Sequence, residues 1–116
     1  MAVFSIGDVV LVGYPDAHPD TNRLYPAMVV KHVEGGEHLF CMITAGSYDD
    51  ALALPLTEKD VFLSGLNREA YVRPTKIFIG HAEVVKRRLG LFSPQFVRRV
   101  ENSLGWVLAP SEDARS

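Results

Sequence analysis

Residues 26–45 read Pro-Ala-Met-Val-Val-Lys-His-Val-Glu-Gly-Gly-Glu-His-Leu-Phe-Cys-Met-Ile-Thr-Ala, two apolar runs on either side of a Gly-Gly pair. Glycine adopts positive φ angles without strain, so Gly35-Gly36 favours a tight turn within 34–37. The flanking runs, 27–33 and 38–45, are rich in apolar and β-branched residues. The stretch therefore predicts an antiparallel β-hairpin, with Pro26 opening its first strand.

Upstream of this hairpin, the sequence predicts one more strand and a long loop. Residues 6–14 form a β-branched apolar run that ends at Pro15. Residues 16–24 are rich in Pro, Asp and Asn, which is typical of a surface loop. Loops of this length in small domains often carry function, so this loop is a candidate for the functional site.

Downstream, strand candidates alternate with polar breaks. They are residues 51–54, 71–79 and 84–92. The last of these is interrupted by the charged residues 86–88, and residues 57–66 are expected to be helical or irregular. Pro74 has no amide hydrogen to donate, so its strand should lie at an edge of the sheet or contain a bulge.

The C-terminal segment predicts an amphipathic helix. Ser93 is a suitable N-cap, and Pro94 suits the first helical position, where its missing N–H is not needed. Pro110 is expected to end the helix. At 100° per residue, one apolar face collects Phe96, Val97, Val100, Leu104, Val107 and Leu108. Five or six short strands followed by one helix predict a mainly β fold, a strongly bent antiparallel sheet or half-open barrel with a C-terminal helix.

Length and composition indicate one soluble domain. The chain has 116 residues, 47% of them hydrophobic, with a net charge of −2. We expect a single domain over residues 1–110 and a disordered tail over 111–116. No apolar run reaches the 18 or so residues of a membrane span, and the N-terminus lacks the features of a signal peptide. A cytoplasmic protein with no membrane association is therefore expected.

Cysteine and histidine usage predicts no metal or cofactor. Cys41 is the only cysteine, so it can form neither an intramolecular disulfide nor a Cys-x-x-Cys zinc site, and we expect it to be a buried small hydrophobe. The four histidines lack the spacing that places two ligands on one helical face. None of His32, His38 and His81 is assigned a function.

Residues 67–100 carry eight basic residues against two acidic ones, a local charge of +6 in an acidic chain. Such a stretch can follow a phosphate backbone, bind an acidic protein segment, or simply be a solvated face. The net charge of −2 weakens the hypothesis of a general nucleic-acid-binding barrel. The basic residues are Arg68, Arg73, Lys76, Lys86, Arg87, Arg88, Arg98 and Arg99.

Four segments, in order along residues 6–108, resemble the MazF/PemK toxins. Gly-Asp-Val-Val-Leu-Val (7–12) followed by Pro-Ala-Met-Val-Val (26–30) is similar to the family's "GDVVLV … RPALVV" opening. Cys-Met-Ile-Thr-Ala (41–45) resembles its "IT(S/A)" strand. Ser-Gly-Leu (64–66) with Tyr-Val-Arg-Pro-Thr-Lys-Ile (71–77) resembles "AGLxxPSVVRxxKL", and Arg-Leu-Gly-Leu-Phe-Ser (88–93) resembles "(K/R)LGxLS".

The resemblance implies an SH3-like β-barrel of the MazF/PemK/CcdB type that pairs as a homodimer. It implies the toxin of a type II toxin–antitoxin system, with a cognate antitoxin as partner. The implied activity is metal-independent cleavage of single-stranded RNA. The RNA's own 2′-hydroxyl attacks, leaving a 2′,3′-cyclic phosphate and a 5′-hydroxyl. In-line attack of this kind needs a proton acceptor, a donor to the leaving oxygen and positive charge at the phosphate.

The resemblance also assigns site residues. Thr44 matches the family's active-site threonine, whereas the catalytic arginine that precedes the proline is replaced here by Tyr25. Arg23 lies two residues upstream and could reach the same phosphate, because its side chain spans about the 6–7 Å of two extended residues. Arg23 and Thr44 are therefore the predicted catalytic residues. The predicted substrate-binding residues are Tyr25, His18, Arg73, Lys76 and Arg87, with Tyr25 a packing residue or a base-stacking ring.

A second reading stays open. A barrel that has lost the arginine before Pro26 could be a binding module for protein or RNA without nuclease activity. Thr75 is a further departure, since many family members have an aspartate at that position.

Overall fold

The predicted hairpin is present. The computed structural model describes residues 4–13, 24–57, 61–62 and 70–109. In it, strands β2 (Tyr25–His32) and β3 (Glu37–Thr44) pair with Met28 opposite Cys41. A single 3₁₀ turn, Glu34–Gly36, connects them. Gly35 and Gly36 have φ angles of +76° and +79°, so the turn needs the backbone freedom of glycine at both positions.

The described strands form one antiparallel sheet in the order β4-β6-β3-β2-β1-β7-β5. Their bounds are β1 Asp8–Val12, β2 Tyr25–His32, β3 Glu37–Thr44, β4 Leu54–Pro55, β5 Val61–Phe62, β6 Tyr71–His81 and β7 Val85–Phe92. Seven strands are described where five or six were expected. The difference comes from β5, whose two residues are too few to leave a periodic pattern in the sequence. Strand β4 falls at the end of the candidate strand 51–54.

Two local predictions were wrong. Within residues 57–66, expected to be helical or irregular, β5 pairs with the end of β7, Val61 opposite Phe92. Strand β7 is not interrupted at residues 86–88 but pairs with β1 throughout, with bulges in the register. The three charged residues are exposed while their backbone stays in the ladder, and Arg88 donates from its Nε to the buried Asp8 Oδ1 at 3.1 Å.

The bulge predicted at Pro74 is confirmed. On β6, Arg73 pairs with Met42 and Ile77 pairs with Cys41, so residues 74–76 stand between two adjacent partners on β3. The missing amide hydrogen of Pro74 thus falls where the hydrogen-bond ladder is already interrupted.

Helix α1, Pro94–Leu108, covers one face of the sheet. The Ser93 hydroxyl caps it by accepting a hydrogen bond from the amide of Phe96 at 3.2 Å, as predicted. Leu108, placed on the apolar face by its spacing, is 65% exposed, because burial of that face ends at Leu104. The helix-side core comprises Phe96, Val100 and Leu104 with Val9, Met28, Val30, Cys41, Ile43, Ala70, Val72 and Phe92.

Successive side chains of a strand point to opposite faces of the sheet. The face opposite the helix therefore has its own apolar cluster. It comprises Val10, Val12, Ala27, Val29 and Phe40, flanked by Phe4, Tyr25, Phe78, Val84 and Val85. The mainly β fold with a C-terminal helix is confirmed. Residues 111–116, the predicted tail, lie outside the described residues. No helix in the described part of the chain is long and apolar enough to cross a bilayer.

Candidate functional site

Thr44 and Tyr25 lie on the same face of neighbouring strands. Ala27 on β2 pairs with Met42 on β3, and Tyr25 and Thr44 each lie two residues further toward the same end of the sheet. Side chains alternate along a strand, so these four residues share a face. Tyr25 also packs against the cluster around Val10, which places this face opposite the helix.

Strand β6 extends the same face. Its Tyr71 pairs with Thr44 and its Arg73 pairs with Met42, and residues directly opposite each other in an antiparallel pair point to one side. The intervening Val72 belongs to the helix-side core, which is consistent with this assignment. We call this surface the threonine face, defined by Tyr25, Met42, Thr44, Tyr71 and Arg73.

Arg73 is buried and ion-paired. Its Nε donates to Asp50 Oδ2 at 3.3 Å, and the two side chains are only 10% and 8% exposed. The Thr75 hydroxyl donates to the same Oδ2 at 2.5 Å, and the Leu52 amide donates to Oδ1 at 2.9 Å. The charge of Arg73 is therefore largely compensated within the protein.

The same contacts lower the pKa of Asp50 below its usual value. The hydrogen bond from Thr75 contributes most, and the Leu52 amide and Arg73 add to it, whereas burial opposes the shift. Each donor is better satisfied by the charged carboxylate, so Asp50 is ionised at neutral pH. An ionised Asp50 keeps Arg73 in place.

The loop after β3 is built on two consecutive turns. The Asp50 amide donates to the Ser47 carbonyl at 2.9 Å, and the Ala53 amide donates to the Asp50 carbonyl at 3.1 Å. Tyr48 and Asp49, at the centre of the first turn, have φ angles of +52° and +58°. Two positive φ angles are the pattern of a type I′ turn, in which Asn, Asp and Gly are usual and Tyr is not.

Thr44 is half-buried at the end of β3. Its hydroxyl donates to the Gly46 carbonyl at 2.6 Å. The oxygen retains acceptor capacity, and rotation of the hydroxyl would redirect its proton toward a ligand on the threonine face. Thr44 is thus placed where it could contact a phosphate or sugar oxygen.

The two other predicted substrate-binding cations that the structure describes, Lys76 and Arg87, lie on different strands. Lys76 is exposed in the bulge of β6, next to Thr75, and makes no ion pair with any residue that the structure describes. Arg87 is exposed on β7 opposite Leu11, and strands β1 and β2 lie between it and β3. The described basic residues of the stretch 67–100 are accordingly spread over β6, β7 and the helix rather than gathered in one part of the sheet.

Arg23 and His18 lie in residues 14–23, outside the described residues. The chain enters this segment after Gly13 and leaves it before Leu24. Gly13 follows Val12, and Leu24 precedes Tyr25, the residue that pairs with Val12. The described residues on either side of 14–23 are therefore next to Tyr25 or its strand partner, and Tyr25 belongs to the threonine face.

Two residues of this site, Asp50 and Tyr48, were missed by sequence reasoning. The segment 46–50 was treated only as a polar break between strands. One signal was available, because Thr75 stands where the resembling family often has an aspartate. Asp50 brings a carboxylate to Thr75 from a different loop. The two residues are 25 positions apart, and the sequence around either one does not indicate that they are partners.

Cys41 is buried, as predicted. Its thiol donates to the Arg73 carbonyl at 3.1 Å. Burial is the main cause that raises the pKa of this thiol to about 12. It is therefore neutral and shielded, a packing residue between the two strands of the site.

His32 and His38 lie outside the threonine face, at the turn end of the hairpin formed by β2 and β3. The rings of His32 and His38 are 5.1 Å apart, and the His32 Nε2 donates to the Phe4 carbonyl. His38 is 5% exposed, and its Nδ1 has no hydrogen-bond partner in the described structure. Burial, followed by the neighbouring His32, lowers the pKa of His38.

Two further features lie elsewhere. A shallow groove of about 350 Å³ runs between β7 and the helix, lined by Ile6, Leu91, Phe92, Pro94, Val97, Arg98 and Glu101. It is on the helix side, away from the threonine face. Among the described residues, no group of three or more His, Cys, Asp or Glu is arranged to hold a metal ion.

Solved structures share this architecture. MazF from Deinococcus radiodurans is 17% identical, covers 93% of this chain and 98% of its own, and superposes with a TM-score of 0.71. A mycobacterial endoribonuclease solved in complex with its cognate antitoxin is 15% identical over 96% of this chain and 99% of its own, with a TM-score of 0.70. The Mycobacterium tuberculosis toxin MazF-mt6 is 12% identical over 84% and 92%, with a TM-score of 0.64.

The chain therefore has the fold of the MazF toxins over nearly its whole length. No protein-family model matches the sequence, and no curated protein sequence matches it. The likeness lies in the backbone rather than in shared residues, so the chemistry must be argued from the side chains on the threonine face.

Proposed function

We propose that this protein is the toxin of a type II toxin–antitoxin pair and an endoribonuclease that cleaves single-stranded RNA. The observation that carries the proposal is the placement of Thr44 beside Tyr25 on the face of a MazF fold opposite helix α1. The neighbours named as endoribonucleases, one of them bound to its antitoxin, support the same assignment. By the same argument, the protein acts in the cytoplasm.

The proposed chemistry is attack of the RNA's 2′-hydroxyl on the adjacent phosphate without a metal ion. The Thr44 hydroxyl donates a hydrogen bond to a non-bridging phosphate oxygen, and Arg23 supplies the positive charge as the pentacoordinate phosphorus forms. The 2′-hydroxyl loses its proton to water as it attacks, and the leaving 5′-oxygen takes up a proton from water. The products are a 2′,3′-cyclic phosphate and a 5′-hydroxyl. Tyr25, His18, Lys76 and Arg87 contact the substrate.

Arg73 has a different role from the one that its position suggested. Asp50 compensates the charge of Arg73. Arg73 therefore contributes less by binding phosphate than by holding the loop 46–50 in place. Exposed Lys76, three residues away, is the better phosphate contact because it has no carboxylate partner among the described residues.

The protein acts as a homodimer and is neutralised by a cognate antitoxin. Exposed Leu24 and Tyr48 lie next to the threonine face, and half-buried Tyr25 belongs to it. Together they give a second subunit or an acidic antitoxin segment apolar contacts there.

A second function is favoured by one observation. Tyr25 occupies the position of the family's catalytic arginine, and the arginine on the threonine face, Arg73, is compensated by Asp50. This combination would suit a barrel that binds RNA or protein without cutting.

One experiment separates the two functions. Purified protein is incubated with a long single-stranded RNA in excess EDTA, alongside Arg23→Ala and Thr44→Ala. Cuts at few sites with 5′-hydroxyl ends, lost in both variants, would support the nuclease and both residues. Cutting that survives both substitutions would keep the nuclease and refute the assignment of its site. Intact RNA from a folded wild-type protein would favour the binding module.

A further inference from the structure

Tyr48 is an exposed aromatic ring held in an unfavourable backbone conformation. Its side chain is 70% exposed, and its φ of +52° lies in the left-handed region that bulky residues avoid. The following Asp49 shares this conformation at +58°. Strain of this kind persists only where the surroundings enforce it, and it concentrates at functional sites.

The contacts around Tyr48 fix its ring. The guanidinium carbon of Arg73 lies 5.1 Å from the ring centroid, within the range of a cation–π interaction. Arg73 is itself held by Asp50, the last residue of the same turn. The orientation of an exposed ring is thus set by a buried ion pair, while most of its surface is left to solvent.

Tyr48 is also close to Thr44 along the chain. The two residues are four positions apart, which limits their Cα distance to about 14 Å. The Thr44 hydroxyl is bonded to the Gly46 carbonyl, and the Tyr48 ring lies over Gly46, where an added Cβ would be 3.7 Å from Cε2. The hydroxyl and the ring therefore belong to one ordered unit.

We propose that Tyr48 is a stacking platform for an unpaired nucleobase of the RNA whose backbone passes Thr44. This inference rests on the proposed function and names a residue that holds the substrate. Every nucleobase has a π-face, so a ring that is already fixed and exposed binds single strands with little dependence on sequence. Arg73 is then a positioning residue, because it acts through Tyr48 rather than on the phosphate.

Binding is measured by fluorescence anisotropy with two labelled probes. One is a 12-nucleotide single-stranded 2′-fluoro RNA of mixed sequence, which lacks the attacking hydroxyl. The other is an abasic sugar–phosphate oligomer of the same length. The variants are Tyr48→Asn, which suits a positive φ but cannot stack, and Tyr48→Phe, which keeps the ring. Trp106→Ala removes a 79% exposed aromatic on the helix and is the matched control.

We expect Tyr48→Asn to bind the 2′-fluoro RNA about tenfold more weakly and the abasic oligomer as the wild type does. Tyr48→Phe should stay within about twofold of the wild type, and Trp106→Ala should not change the affinity. Wild-type affinity in Tyr48→Asn, an equal loss on both probes, or an equal loss in Trp106→Ala would overturn the proposal.

Cleavage of unmodified RNA by the same preparations separates this inference from the proposed function. If the wild type cuts RNA while Tyr48→Asn binds and cuts equally well, only the stacking role fails. If the folded wild type neither binds nor cuts RNA, the proposed function fails and the stacking role fails with it.

Discussion

Arg73 on β6 donates from its Nε to Asp50 Oδ2 at 3.3 Å, across 23 residues of sequence and with both side chains at most 10% exposed. The pair joins the loop after β3, which begins just after Thr44, to strand β6, which pairs with β3. The same guanidinium contacts the ring of Tyr48. A single ion pair therefore links the position of the proposed phosphate contact, the exposed aromatic and the bulge of β6.

Loss of this ion pair should lower stability. In Asp50→Asn, a buried guanidinium loses its counter-charge, and we expect the free energy of unfolding to fall by about 3 kcal/mol. Urea denaturation measures the change. The matched control is Asp49→Asn, an exposed neighbour at positive φ that asparagine tolerates, with an expected change within about 0.5 kcal/mol. Equal effects in the two variants would contradict a structural role for Asp50.

The hydrogen bond from Thr75 should control the ionisation of Asp50. Because this donor is the main cause of the lowered pKa, Thr75→Val should raise the pKa of Asp50 toward its usual value. The stability that Asp50 contributes is present above its unfolded pKa and is lost as pH falls through its folded pKa. This loss should begin at a higher pH in Thr75→Val. A carboxyl NMR titration measures the shift, and Thr44→Val, whose hydroxyl bonds Gly46 instead, should leave it unchanged.

His38 should make the protein less stable in mild acid. Burial holds its pKa below 6.5, with His32 and His81 adding repulsion and a hydrogen bond to the Gly36 backbone opposing them. The unfolded chain therefore binds the proton more readily, and stability should fall as pH drops from about 7 through the folded pKa. His38→Phe keeps a ring beside Phe4 and Phe40 and should flatten this fall. Urea denaturation at pH 7.5 and pH 5.0 gives the free energy of unfolding of the wild type and of His38→Phe. An equal fall in this free energy between the two pH values in both proteins would refute the assignment.

Cys41 should be unreactive in the folded protein. Its thiol is fully buried and its pKa is raised to about 12, so almost no thiolate exists at pH 8. We expect Ellman's reagent to modify one thiol per chain immediately in denaturant, and in native buffer only at the rate of unfolding. Rapid modification of the native protein would show that the strand pair β3–β6 opens locally.

The fold was predictable from the sequence where the signal is local. Gly35-Gly36 between two apolar runs specified the hairpin, and Ser93-Pro94 specified the start of the helix, because turn and cap chemistry depend on neighbouring residues. Strand β5 was not predictable in the same way, since it consists of two residues stabilised by a partner strand, and β4 is only the end of the strand expected over 51–54.

The candidate site was predictable only in part, and for the same reason. Thr44 followed from a motif within one strand. Asp50, Arg73 and Thr75 meet only after β3 and β6 have paired, so their mutual contacts leave no trace in local sequence. Tyr48 was missed because its exposure depends on a type I′-like turn in a sequence without glycine at either central position.

In the proposed mechanism the nucleophile is the RNA's own 2′-hydroxyl, and a matched pair of substrates tests this step. The cut sites of wild-type protein in EDTA are first mapped on a long RNA. Two short oligonucleotides spanning one site are then compared, identical except that one carries a single 2′-deoxy sugar immediately 5′ of the cut. We predict that the all-ribose strand is cleaved to a 2′,3′-cyclic phosphate, read by mass spectrometry, and that the 2′-deoxy strand stays intact at that position. Equal cleavage of both strands would contradict the account.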